Sequence, residues 1–205
     1  ASSDYPLRDV YKRQVQDILP ELTRIRSQKR PLRIWVMPSS TGEEPYSIVL
    51  YLLEYWPDLS QWDVEIVASD IDTRVLEDAK LGRYSQRSVQ LLPSDVLRRY
   101  FRRVGHDWQI DDEIRRSVRF THVNITDDHE TAVYRGFDVV FCRNLLFYFD
   151  DASRRRAAEA FHHALEPGGF VCLGMSDAMN RISSRFVRRT FADAVVYQKP
   201  GHVLP

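Results

Sequence analysis

Two adjacent carboxylates, Glu43 and Glu44, lie in the polar stretch Ser39-Ser40-Thr41-Gly42-Glu43-Glu44-Pro45-Tyr46-Ser47. An apolar run from Leu32 to Met37 precedes it and reads as a strand. A second run from Ile48 to Leu53 follows and reads as a buried helix. The polar stretch is therefore a strand-to-helix turn, the position at which open α/β sheets bind nucleotide-like ligands. Thr41 and Glu44 have capping-box spacing, Pro45 suits a first helical turn, and Gly42 lets backbone approach a ligand. A phosphate-binding turn would offer bare N–H groups and a lysine, and neither G-x-G-x-x-G nor G-x-x-x-x-G-K-[ST] occurs in the chain. An acidic turn suits a cationic nucleoside, and S-adenosylmethionine carries both a sulfonium and an amine. The alternative is that both glutamates only complement the helix dipole.

A second acid, Asp70, ends the strand-like run Val64 to Ser69. One carboxylate at the C-terminal end of the second strand can accept both hydroxyls of a ribose. Asp72 stands where a helix N-cap would, so a turn-and-cap role for both acids is the competing reading. Phe137 to Cys142 is the most strand-like run in the chain, and it delivers Arg143-Asn144 to the same crevice. For Arg143 the competing role is a structural ion pair.

The positioning elements alternate. A spacing of 3, 1, 3 and 3 through Val15, Ile18, Leu19, Leu22 and Ile25 predicts an amphipathic helix, with Pro20 inside it suggesting a break or kink. Helical patterns follow Asp72 and Asp151, and Pro93-Ser94-Asp95 opens a short helix. Pro167-Gly168-Gly169 reads as a tight turn into Phe170 to Gly174, and Phe186 to Tyr197 holds a further strand or hairpin. Seven arginines fall between Arg98 and Arg119, around two candidate antiparallel strands at Trp108-Gln109-Ile110 and Ser117 to Phe120. They form either a solvated face or a docking surface for an acidic protein. The pattern predicts a doubly wound α/β sheet with a small insertion.

Composition narrows the class. With 205 residues, 43% of them hydrophobic, and 29 basic against 29 acidic side chains, the chain suits one domain with a real core. Zero net charge argues against a general nucleic-acid binder. No run of about 18 apolar residues predicts a membrane span, and no apolar h-region marks a signal peptide. Cys142 and Cys172 lie in apolar runs and are expected as buried thiols. The six histidines show no ligand spacing, so no metal is expected.

Taken together, Ser40 to Ser47, Ser69-Asp70-Ile71-Asp72, Phe141-Cys142-Arg143-Asn144 with Tyr148-Phe149-Asp150, and Leu165 to Gly169 resemble the chemotaxis-receptor glutamate methyltransferases (the CheR type), in order and in approximate spacing. The resemblance covers roughly residues 31–198. It implies a mostly parallel, seven-stranded class I methyltransferase sheet with a small antiparallel β-subdomain at about 103–120. Residues 1–30 would be a tail and helical linker remnant, and 199–205 a C-terminal tail. It implies S-adenosyl-L-methionine as donor, S-adenosyl-L-homocysteine as product, and a bacterial, cytoplasmic enzyme acting on chemoreceptor cytoplasmic domains. By the same resemblance Glu43 contacts the methionine part of the donor, Asp70 the ribose, and Asn124 with Ile125 the adenine. Arg143 and Asn144 line the cofactor and acceptor site, and Tyr148 lies near the methyl group. Arg8 matches the last position of an upstream N-x-T-x-F-F-R motif otherwise absent here. Met37 and Pro38 occupy places where the family has small residues. A catalytically weak module that binds donor or product as a sensor or docking unit is the alternative function. The carboxylate-to-sulfonium chemistry itself needs no general base.

Overall fold

The computed structural model describes residues 9–174, 178–191 and 194–201, with side chains described from Val15 onward. Within them the strands are β1 (Leu32–Val36), β2 (Val64–Asp70), β3 (Arg83–Tyr84), β4 (Phe101–Val104), β5 (Asp107–Ile110), β6 (Val118–His122), β7 (Phe137–Cys142), β8 (Leu165–Leu173), β9 (Val187–Phe191) and β10 (Ala194–Gln198). The helices are α1 (Asp9–Ile25), α2 (Glu43–Tyr55), α3 (Thr73–Leu81), α4 (Gln86–Val89), α5 (Ser94–Tyr100), α6 (Asp112–Arg116), α7 (Asp128–Thr131) and α8 (Asp151–Ala164). The main sheet has seven strands in the order β6-β2-β1-β7-β8-β10-β9; its first five run parallel, and β10 and β9 are antiparallel to their neighbours.

Alternation along the strands divides the core between the two faces of this sheet, as the pleat requires. Ile34 and Val36 of β1, Ile66 and Ala68 of β2 and Phe141 of β7 point to the face covered by α1 and α2. Trp35, Met37, Val67, Val140 and Cys142 point to the other, where α8 lays Ala157, Ala158, Phe161 and Ala164. Covering both faces is what lets β7 be buried along its whole length. Asp72 caps α3 as its position predicts; Asp150, one residue before the expected opening at Asp151, caps α8, and Gly82 ends α3 in the left-handed conformation.

Three local expectations are corrected. The small antiparallel sheet is β3-β5-β4, drawn from residues 83–110, whereas Val118–His122 pairs in parallel with β2 as an edge of the main sheet. The one-and-a-half turns of α6, capped by Asp111, carry the chain out of the small sheet, and Val118 is then buried in the main core. Pro167-Gly168-Gly169 is an irregularity inside β8 rather than a turn before it: Gly168 N–H donates to Lys199 O, and Lys199 N–H returns a bond to Gly169 O. A Cβ on Gly169 would stand 2.9 Å from the Asp138 carbonyl oxygen, so the close backbone approach needs glycine. Pro20 sits within α1 without ending it, and Val15, Ile18, Leu19 and Leu22 bury the predicted apolar face while Ile25 is exposed.

At the N-terminal end of β7, the fully buried Asp138 carboxylate gathers the Arg26 Nε (2.6 Å), both terminal nitrogens of Arg30 (3.0 and 2.7 Å) and the Arg33 N–H (3.0 Å). This ties the segment after α1 to the sheet. Cys142 and Cys172 are both buried without a disulfide.

Candidate functional site

The predicted site residues that the structure describes stand at or just beyond the C-terminal ends of β1, β2, β6 and β7, the edge at which open α/β sheets take ligands. After β1 the chain stays hydrogen-bonded to both neighbours: Met37 N–H donates to Phe141 O and Ser39 N–H to Ser69 O. Met37 points into the core of the α8 face, so its bulk lies in the packing. Ser40 adopts a left-handed φ of 48°, and Asn144 beyond β7 has a φ of 56°. These two non-glycine residues with positive φ flank the same crevice. A serine held there carries strain, which concentrates at functional sites.

Asp70 explains how Ser40 is held. Its Oδ2 accepts the Ser40 N–H at 2.9 Å and its Oδ1 accepts the Asp72 N–H at 3.0 Å, with the residue 8% exposed. Each oxygen retains acceptor capacity for a further donor. Behind it runs a polar string that sequence reading missed. The Trp35 indole donates to Ser69 Oγ (3.0 Å), the Ser69 and Thr121 hydroxyls are hydrogen-bonded to each other (2.7 Å), and the Tyr134 hydroxyl donates to Thr121 Oγ1 (2.9 Å). It stitches β1, β2 and β6 just below the crevice.

The start of α2 differs from the expected capping box. Gly42, with φ 92°, is the N-cap and makes no side-chain cap; the Thr41 hydroxyl donates instead to Glu43 Oε2 at 2.6 Å. A left-handed N-cap needs glycine, and a Cβ there would come within 3.0 Å of both Tyr46 Cε2 and the Tyr84 hydroxyl oxygen. The two glutamates part company. Glu43 is engaged with Thr41 and raises the pKa of the Tyr84 phenol, though burial is the larger cause. Glu44 carries a buried oxygen and acts on the Cys172 thiol, which burial first and then Glu44 push up while Arg143 pulls it down.

Arg143 is 7% exposed at the end of β7. Tyr148 stands in the 3-10 turn Leu146–Tyr148, 73% exposed, with its ring centroid 4.0 Å from that of the exposed Phe147. Beyond β6, Asn124 Oδ1 accepts from Thr126 N (3.1 Å) and Thr126 Oγ1 (2.9 Å), closing an Asx-type turn, and Ile125 points into the core. What Ile125 presents to the crevice is therefore backbone. Arg8 lies outside the described residues, as do residues 175–177. Among the described residues no helix is long and apolar enough to cross a membrane, and no His/Cys/Asp/Glu group could hold a metal. The assembled groups, acids at Asp70 and Glu43, a tight glycine turn and no lysine between Ser39 and Ser47, fit a cationic nucleoside rather than a phosphate.

Comparison with known proteins gives a consistent picture. Residues 8–194 match the family described as CheR methyltransferase, SAM binding domain. The chain is 50% identical to chemotaxis protein methyltransferase 2 of Vibrio cholerae over 187 residues, 91% of this chain and 65% of that protein. It is 35% identical to chemotaxis protein methyltransferase 1 of Pseudomonas aeruginosa over 198 residues, 93% of this chain and 71% of that protein. Among solved structures it resembles the CurJ carbon methyltransferase, with a TM-score of 0.59 at 13% identity over 97% of this chain and 56% of that one, which speaks to fold alone. The chain spans 65% and 62% of the lengths of two of the curated relatives it matches.

Proposed function

Because the chain belongs to the CheR methyltransferase SAM-binding-domain family, we propose that it carries the donor site and transfer chemistry of a protein-glutamate O-methyltransferase acting on chemoreceptor cytoplasmic domains. The cofactor of this domain is S-adenosyl-L-methionine. When bound it supplies a sulfonium methyl group, which an ionised acceptor carboxylate attacks in line. The O–C bond forms, the C–S bond breaks, and S-adenosyl-L-homocysteine leaves with the electron pair on sulfur.

No proton has to move, so the chain's own residues have to align and desolvate. Good alignment is worth up to about 7–11 kcal/mol in favourable cases. Excluding water helps further, because two opposite charges cancel as the reaction proceeds. One observation carries this reading: the Asp70 carboxylate braces the left-handed Ser40 turn at 2.9 Å beyond β2, and buried Arg143 leaves β7 two strands away, so an anion and a cation border the same strand-end crevice. In our reading Asp70 takes the ribose hydroxyls, and Glu43 at the start of α2 meets the methionine part of the donor. Asn124 and the Ile125 backbone border the adenine, and Asn144 lines the donor side. Arg143 orients the acceptor carboxylate without protonating it, and the exposed Tyr148 meets the incoming protein. Arg8 joins the donor site if the upstream stretch folds over it.

Incubation with methyl-labelled donor and receptor cytoplasmic fragments tests the proposal. Label should enter the receptor fragment as a base-labile ester. Saturable donor binding with no transfer to any receptor fragment would replace the enzyme reading with that of a donor-sensing or docking module.

A further inference from the structure

The small sheet reaches back to the donor turn through one hydroxyl. Tyr84 of β3 donates its O–H to the Thr41 carbonyl at 3.0 Å, one residue before the left-handed Gly42. Its ring is buried and lies edge-on to Tyr46 at 6.3 Å and to Phe101 of β4 at 6.4 Å. Burial and the Glu43 charge hold the phenol protonated, so the hydroxyl remains a donor. A Cβ on Gly42 would come within 3.0 Å of that hydroxyl, so turn and phenol are in direct contact. Tyr84 is in turn fixed by the small sheet. It is in register with Trp108 of β5, whose indole donates to Gln86 Oε1 at 2.8 Å and lies 5.1 Å beneath the Arg103 guanidinium.

A second phenol ties the same insertion to the main domain elsewhere. Tyr100 of α5 donates to Glu54 Oε1 at 2.5 Å, at the far end of α2 from the donor turn. The two tyrosines make comparable staples with different targets: Tyr84 holds the turn, whereas Tyr100 holds the helix terminus.

We propose that Tyr84 is a positioning residue for the donor site, holding the Thr41–Glu44 turn in shape so that the small sheet sets donor affinity. The proposal rests on the donor reading above. Linkage makes the coupling reciprocal: whatever tightens the turn on the donor must also steady β3 and β5.

Titration calorimetry of the full chain with S-adenosylhomocysteine tests it, alongside thermal midpoints. Tyr84→Phe should weaken binding roughly 3- to 10-fold, the worth of about one neutral hydrogen bond. Tyr100→Phe should lower the midpoint yet bind within about twofold of wild type. In the unmodified protein, saturation with S-adenosylhomocysteine should slow amide exchange at Tyr84 and Trp108, a readout independent of any variant. Wild-type affinity in Tyr84→Phe, equal losses in both variants, or unchanged exchange at β3 and β5 would overturn the inference. Failure of the wild-type chain to bind the nucleoside would overturn the donor reading with it, so the two failures are distinct.

Discussion

Replacing Asp70 by asparagine separates the two duties of its carboxylate. In the native protein its oxygens accept the Ser40 and Asp72 N–H groups at 2.9 and 3.0 Å from a nearly buried position. Asparagine keeps the shape but presents an NH2 group to one of those N–H donors. Bonds to a charged acceptor are worth about 1.5–3 kcal/mol each. Losing one and weakening the other should cost about 2–3 kcal/mol of stability. At about 2–4 °C per kcal/mol for a chain of this length, the midpoint should fall by roughly 4–12 °C. Donor binding carries a separate loss, because an amide cannot accept both ribose hydroxyls as a carboxylate does. A further deficit of about 2–3 kcal/mol would raise the Kd for S-adenosylhomocysteine roughly 30- to 150-fold. Calorimetric scanning and titration at a temperature where the variant is folded measure the two effects independently. A lowered midpoint with affinity within about threefold of wild type would refute the ribose role and leave Asp70 as the brace of a turn. An unchanged midpoint would refute the brace.

Arg143→Ala should slow methyl transfer by at least about tenfold while changing donor affinity by less than about threefold; equal losses in kcat and donor Kd would make it a donor contact only. Asp138→Ala should cost about 3–5 kcal/mol, since it strands Arg26 and Arg30 around an uncharged site, and should leave donor affinity unchanged. Urea unfolding checks it, and a loss under about 1 kcal/mol would show that water serves the arginines equally well. His162 has its pKa lowered to about 4, first by burial and then by Arg185 and Lys199, and lies edge-on to Phe186 at 5.5 Å. A depressed histidine is neutral when folded and protonates on unfolding, so its contribution is intact above about pH 6.5 and is lost as pH falls toward 4. After discounting for its partial exposure, this amounts to about 1 kcal/mol, or about 2–4 °C. His162→Phe should lose less than wild type between those pH values; parallel curves would refute the assignment.

Much of the fold was legible because its strands are apolar runs bounded by polar turns, and a parallel sheet covered on both faces demands such runs. The strand Phe137 to Cys142 and the cap Asp72 needed only local rules. Tertiary effects were harder to read. Val118 to Phe120 has the length and polarity of a hairpin strand, and only its burial against β2 assigns it to the main sheet. Thr41 matches the capping box in spacing, yet the left-handed Gly42 turns it away. At the site, Asp70, Arg143 and Asn144 were visible as strand-end residues. That Glu43 takes the Thr41 hydroxyl while Glu44 buries an oxygen was not, because consecutive helical positions point about 100° apart and spacing does not set the rotation. Asp138, flanked by Phe137 and Val139, gave no sign of the four donors from three arginines that converge on it from over a hundred residues away.

That buried carboxylate has a mechanical consequence. Asp138 and Arg143 lie at opposite ends of one strand, about 17 Å apart at the usual rise per residue. The strand between them is locked in register on both sides and cannot stretch or rotate without breaking its ladders. Arg143 therefore leaves the sheet from a point whose placement is set by both flanking ladders, not by its own loop.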